Sequence, residues 1–399
     1  MSTNAFYHHK TVLMTGAAGS IGSQLVRTLL DANPRAVILT DNNEGALYDL
    51  EQDLKSSKVS TFVTDVKDKD SMEPLFDGVD FVFHLAGLKN VPVCEYNPYE
   101  AVKTNIAGTH NLVDLCLREN VEKVIFTSTG KAVKPTTAYG ATKLLAERLL
   151  TLANSKRGSA GTIFASVRFG NVLGSRGSAF PLFRGQIAKG GPVTLTHEEM
   201  VRLNIIMPNA LRLIMNAGEL ARGGETFILK MKVMRIAEVA EVMVRELAPE
   251  YGYKPEEIEI QLIGVRLGEK IREKLMTESE QRRAYETEDI LIVAPEMKEL
   301  LHRPRILQRL VTPKRDENVQ ASRSGFCHKR RDKGNIRLLG LSVTTPVAIK
   351  TPDTICRQLQ QGERYDARRL KDVQNKTHLG PPVPRLTRPL LFCSLFLAG

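Results

Sequence analysis

The reading of this chain turns on Thr11-Val12-Leu13-Met14-Thr15-Gly16-Ala17-Ala18-Gly19-Ser20-Ile21-Gly22. A short apolar run with strand character ends in a glycine triplet, and helical apolar spacing follows over Ile21–Leu30. Gly16 permits a tight turn, Gly19 lets backbone approach a pyrophosphate, and Gly22 lets helix and strand pack closely. Ser20 and Ile21 complete the loop. The helix start then offers N–H groups and a positive dipole end to phosphate. A lone triplet is weak evidence, but Asp41 ends the next strand-like run. A carboxylate there can accept hydrogen bonds from adenosine ribose hydroxyls. It would repel a 2′-phosphate, which favours NAD over NADP. Asp65 and Val66 follow the third strand, where an edge contact to adenine fits. Ala86, in His84-Leu85-Ala86-Gly87 after the fourth, leaves a cofactor room to lie close.

Outward from this stretch, strand-like and helix-like segments alternate. Ala36–Thr40, Val59–Val63, Phe81–Leu85, Val121–Ser128 and Thr162–Arg168 read as strands. Residues 44–54, Ala101–Glu119 and Ala141–Asn154 read as helices. Apolar strands alternating with helices predict an α/β fold with a doubly wound parallel sheet covered on both faces. The pattern is less regular beyond Gly170, where Pro181–Lys189, Asn209–Ala217, Arg235–Leu247 and Gly268–Thr277 look helical. No internal repeat is visible. The domain reading is a dinucleotide-binding core over 1–170, an interleaved lobe over 171–301, to which the resemblance given below assigns the sugar nucleotide, and a basic tail over 302–399.

The net charge of +11 belongs to that tail. Residues 1–301 carry 36 Lys+Arg against 38 Asp+Glu, whereas residues 302–399 carry 20 against 7. A slightly acidic body argues against a nucleic-acid-binding protein. The tail also holds 8 of the 19 prolines and loses apolar periodicity, which predicts a disordered or out-of-frame appendage. It lacks the aromatic interleaving that base stacking needs. Five cysteines without paired or metal-ligand spacing suit reduced thiols in the cytoplasm. No stretch reaches the roughly 18 apolar residues of a membrane span.

The second motif is Tyr139-Gly140-Ala141-Thr142-Lys143. Tyr and Lys four apart share one helix face. A cation beside a phenol stabilises the phenolate, which predicts a Tyr139 pKa moved from about 10 towards neutrality. Such a phenolate can accept a sugar hydroxyl proton while hydride leaves the same carbon for nicotinamide.

The glycine triplet with Tyr139 and Lys143 resembles the extended short-chain dehydrogenase/reductase superfamily, which implies an extended Rossmann fold. The block Ser128-Thr129-Gly130-Lys131-Ala132-Val133-Lys134-Pro135-Thr136 narrows the likeness. It is similar to a block of the CapD-like sugar-nucleotide 4,6-dehydratases of polysaccharide biosynthesis. Lys89-Asn90-Val91-Pro92, Arg168-Phe169-Gly170-Asn171, Ser175-Arg176-Gly177-Ser178 and Arg266-Leu267-Gly268-Glu269-Lys270 extend it in family order, from about residue 10 to 295.

The resemblance implies an NAD(P)-dependent 4,6-dehydration of a UDP-N-acetylhexosamine, a UDP-sugar substrate and a homo-oligomer. It implies Tyr139 as the C4 base, Lys143 as its tuner, Lys131 for the C5 proton and Thr129 to orient O4. Lys89, Asn171, Arg202 and Arg266 fall where the family holds sugar and diphosphate. One departure stands out: Gly130 occupies the place of the family's acid Asp. On this reading Gly130→Asp should raise turnover. A UDP-sugar 4-epimerase needs no such acid and is the alternative enzyme. A catalytically impaired homologue acting as a cofactor-loaded scaffold is the non-enzymatic one.

Overall fold

The computed structural model describes residues 4–156 and 161–296 and the strand Thr312–Pro313. The expectations for the basic tail otherwise lie outside the described residues. Six parallel strands carry the core: β1 (Thr11–Thr15), β2 (Ala36–Asp41), β3 (Val59–Val63), β4 (Phe81–His84), β5 (Lys123–Thr129) and β6 (Ile163–Phe169). Their spatial order is β3-β2-β1-β4-β5-β6, the doubly wound order expected. The direction of winding reverses between β1 and β4. At that switch point the two strand ends leave a crevice, where ligands bind in open α/β sheets.

β1, β4 and β5 are buried along their whole length. Apolar clusters seal both faces, one around Met14, Leu25, Phe81 and Phe227, the other around Leu13, Val82, Phe126 and Leu150. β3 departs from the fully buried reading because it is the sheet edge; Phe62 and Val63 are exposed.

Beyond β6 the chain both extends this sheet and builds a lobe. Thr226–Leu229 adds a parallel strand, and Ile290–Val293, Ala284–Glu286 and Thr312–Pro313 continue antiparallel. The lobe has its own apolar cluster, between the helices Ala179–Ile187 and Ile236–Leu247. Cys94 and Cys116 are buried free thiols. Among the described residues no helix is long and apolar enough to cross a membrane.

One helix expectation needs refinement and another correction. Residues 101–118 are helical as expected, but Pro98–Val102 and Gly108–Arg118 are joined by a π-turn over Lys103–Ala107. The extra residue turns Asn105 inward. Its side chain accepts from Leu88 N at 2.8 Å and donates to Leu88 O and Thr142 Oγ1 at 3.0 Å each. Such bulges cluster at functional sites.

Gly268–Thr277 is a loop, because long-range bonds take its backbone. Ile271 O accepts from Val201 N at 2.9 Å, Leu275 O from Arg168 at 2.8 Å, and Gly268 O from Thr136 Oγ1 at 2.6 Å. A helix would spend those carbonyls internally.

Candidate active site

At the switch point the glycine triplet makes the expected turn. Gly16 has φ +69°, and a Cβ there would sit 2.6 Å from Ala86 N. A Cβ on Gly22 would meet the Gly16 and Ala17 carbonyls at 2.6 Å, and one on Gly19 would meet Gly16 O at 3.1 Å. The three glycine positions therefore leave no room for a side chain where the helix Gly22–Leu30 begins, and Ile21 packs on the core beneath it.

Asp41, at the end of β2, accepts from Ala18 N and Asn43 N at 3.0 Å each. Asp65 accepts from Lys67 N, and buried Val66 packs under Gly108. The bare cradle, the helix start and the strand-end carboxylate fit a dinucleotide diphosphate and ribose.

Sequence reasoning gave Arg176 no role. It reaches the cradle from beyond β6: its guanidinium donates to Ala18 O at 2.6 Å and its N–H to Ser20 Oγ at 3.2 Å. Burial, then the Arg176 charge, lower the pKa of Lys89. Two cations thus converge beside the loop.

His84 fixes the strands at the crevice. Its ring nitrogens bond Thr15 Oγ1 at 2.7 Å and Thr109 Oγ1 at 3.0 Å. Burial, and then the Lys143 charge, pull it down to about 3, so it is neutral.

Thr129 ends β5, and the helix Ala138–Lys156 begins beside it with Tyr139 and Lys143 on the inner side. Tyr139 is 8% exposed and packs with Cys94 and Ala101. Lys143 Nζ donates to Thr127 O at 3.1 Å and lies 4.3 Å from the Phe126 ring centre. Burial pulls the ammonium down to about 8. The phenol differs from expectation: burial pushes Tyr139 up, opposed by its hydrogen bond with Thr129. Burial of the phenol, and not the Lys143 charge, sets this direction.

Lys131 follows in the short turn Gly130–Ala132. Its Nζ donates to Asn171 Oδ1 at 3.3 Å and pairs with Glu273 Oε1 at 2.9 Å. Glu273 was missed because it lies in the stretch read as a helix. Arg202 is committed to the same loop, bonding Lys270 O at 2.7 Å and Glu269 at 2.9 Å, with Glu273 at 3.8 Å. It clamps the loop where sequence reasoning expected a sugar contact. Arg266 is exposed, and its backbone N–H meets Glu269 at 3.2 Å.

The space beside Gly130 is filled. A Cβ there would meet Leu275 Cδ2 at 2.9 Å and Lys274 O at 3.3 Å. Gly130→Asp would require the Leu275 side chain to move and the Lys274 carbonyl to yield slightly, so any gain in turnover from it comes against that repacking.

The family described as "polysaccharide biosynthesis protein" matches residues 12–295. A Methanocaldococcus jannaschii protein named an uncharacterized membrane protein is 53% identical over 290 residues, 73% of this chain and 87% of its own. The inverting UDP-N-acetylglucosamine 4,6-dehydratase of Campylobacter jejuni is 36% identical over 294 residues, 73% of this chain and 85% of its own. The X-ray structure of Pen from Bacillus thuringiensis superposes with a TM-score of 0.72 at 41% identity, covering 73% of this chain and 90% of that one.

Proposed function

We infer the function from one premise: this chain belongs to the polysaccharide biosynthesis protein family. It is an enzyme that modifies a sugar nucleotide for polysaccharide synthesis, using a nicotinamide dinucleotide. The reaction proposed is 4,6-dehydration of a UDP-N-acetylhexosamine through a 4-keto sugar. One observation carries it: Thr129, Tyr139, Lys143 and Lys131 gather at the end of β5, beside the crevice of the glycine cradle. Residues 1–170 are assigned to the dinucleotide and 171–301 to the sugar nucleotide.

When bound, the oxidised nicotinamide supplies a hydride acceptor. Gly16, Gly19 and Gly22 leave room for its diphosphate, and Ala86 and Gly87 for its ring. Tyr139 takes the O4 proton, Thr129 orients O4, and charged Lys143 supports the phenolate that must form. Lys143 is charged below about pH 8 and neutral above it. Turnover is therefore expected to fall on the alkaline side with a midpoint near 8. Lys143→Arg, whose charge persists, should move that limb upward. A pH–rate profile that is flat past 9 to 10, where an ordinary lysine still holds its proton, would sink this role.

Asp41 favours NAD, because its carboxylate stands where a 2′-phosphate would bring charge. NADP is expected to bind at least tenfold more weakly, and Asp41→Ser should narrow the gap. Equal titration of both cofactors on the unaltered chain would reject this assignment.

Leu145 and Leu152 are exposed seven residues apart on one helix, and Tyr96 and Tyr99 are exposed on segments that pack against that helix. Such a face fits a homo-oligomer, which sedimentation of the full chain tests.

The test of function is the product formed from UDP-N-acetylglucosamine and NAD, read by mass and NMR. Loss of one water supports dehydration. Gly130 favours the second reading, a 4-epimerase, which would leave the mass unchanged and invert C4. Binding of cofactor and sugar nucleotide with no new product would support the inert scaffold.

A further inference from the structure

We propose that Glu273 and Lys131 form the proton-transfer couple of the elimination, replacing the carboxyl that Gly130 cannot supply. The inference rests on the dehydratase reading. The loop that fills the place beside Gly130 with Leu275 and the Lys274 carbonyl also delivers Glu273 to Lys131, at 2.9 Å. The Glu273 side chain is 5% exposed, whereas that of Lys131 is 26% exposed. The couple thus has a buried acceptor and a donor open to the site.

Asn171 and Glu273 engage two directions of the Lys131 ammonium, which has three N–H groups. The third can face a substrate oxygen. Burial alone would raise the Glu273 pKa, but Lys131 and Arg202 overcome it and hold the carboxyl below its ordinary value. The group is therefore an acceptor at rest. Its charge also reaches Tyr139, where it helps raise the phenol. Arg168 and Arg202 fasten the loop on either side of it.

The protons balance. After C4 is oxidised, the C5–H bond breaks and its proton goes to Glu273. The electron pair forms the C5–C6 double bond. The C6–O bond breaks as O6 takes a proton from Lys131 and leaves as water. Hydride then returns to C6, and C5 takes a proton from Glu273 after that carboxyl has exchanged with solvent. Lys131 is left one proton short and Tyr139 one proton ahead, so a transfer between them, directly or through solvent, restores the start.

The test uses the full chain with UDP-N-acetylglucosamine and NAD in heavy water. Nicotinamide reduction, C5 deuterium and water loss are followed together. Glu273→Gln should stop after C4 oxidation: reduced nicotinamide accumulates, while water loss and C5 deuterium fall roughly 10²-fold or more. Glu273→Asp should regain part of both. Water loss in Glu273→Gln equal to the unaltered chain would overturn the proposal. So would loss of nicotinamide reduction in step with water loss in both variants, which would make Glu273 a structural prop. If the unaltered chain reduces nicotinamide but loses no water, the dehydratase reading fails instead, and the couple with it.

Discussion

Tyr139→Phe is expected to lower turnover by about 10²–10⁴-fold, the usual contribution of a positioned proton acceptor. The ring stays, and with it the packing against Cys94 and Ala101, so the melting temperature should hardly change. What goes is the oxygen that bonds Thr129 and is proposed to take the O4 proton. Binding of NAD and of UDP-sugar should persist, since neither depends on that hydroxyl. The check is turnover and affinity measured on one preparation. Turnover within a factor of ten of the unaltered chain would remove Tyr139 from the chemistry.

The second large effect lies in the support of the site. Arg168 is 2% exposed and holds two buried carboxylates: Glu147 at 2.6 Å and Glu280 at 3.1 Å. It also donates to Leu275 O at 2.8 Å, inside the loop that carries Glu273. Arg168→Met would leave both carboxylates buried without their partner. Breaking a buried pair in this way costs about 3–5 kcal/mol. For a body of this size that is a fall in melting temperature of roughly 10 °C. Replacing all three charges by apolar residues of similar volume should recover most of the loss, because the whole set can be exchanged at little cost. If Arg168→Met melts like the unaltered chain, the cluster is not what fastens the loop. Thermal denaturation of the single and triple variants decides.

These two sites differ in how far they could be read from the residues. The cradle was legible because its meaning is local: Gly16, Gly19 and Gly22 lie within one turn, and Asp41 ends the next strand. Tyr139 and Lys143 were legible for the same reason, since their spacing fixes a shared helix face. The parallel, doubly wound sheet was legible from the alternation of apolar strands with helices.

Glu273 was not legible, because its place depends on contacts made far away in sequence. Residues 268–277 have helical apolar spacing, but Arg168, Val201 and Thr136 take their carbonyls. The same holds for Arg202, which reads as a ligand-seeking guanidinium and serves as a clamp. The π-turn was hidden because Asn105 bonds Leu88 across the chain. Arg176 carried a signal in Gly174 and Gly177, both at positive φ, which free that loop to reach the cradle.

The claim that one bound nicotinamide carries hydride from C4 to C6 is open to a direct measurement. UDP-N-acetylglucosamine deuterated at C4 is incubated with the full chain and NAD, and the product is read by NMR. The account predicts deuterium in the C6 methyl group of a product that has lost one water. Deuterium returned to C4 in a product of unchanged mass would contradict it and establish the epimerase.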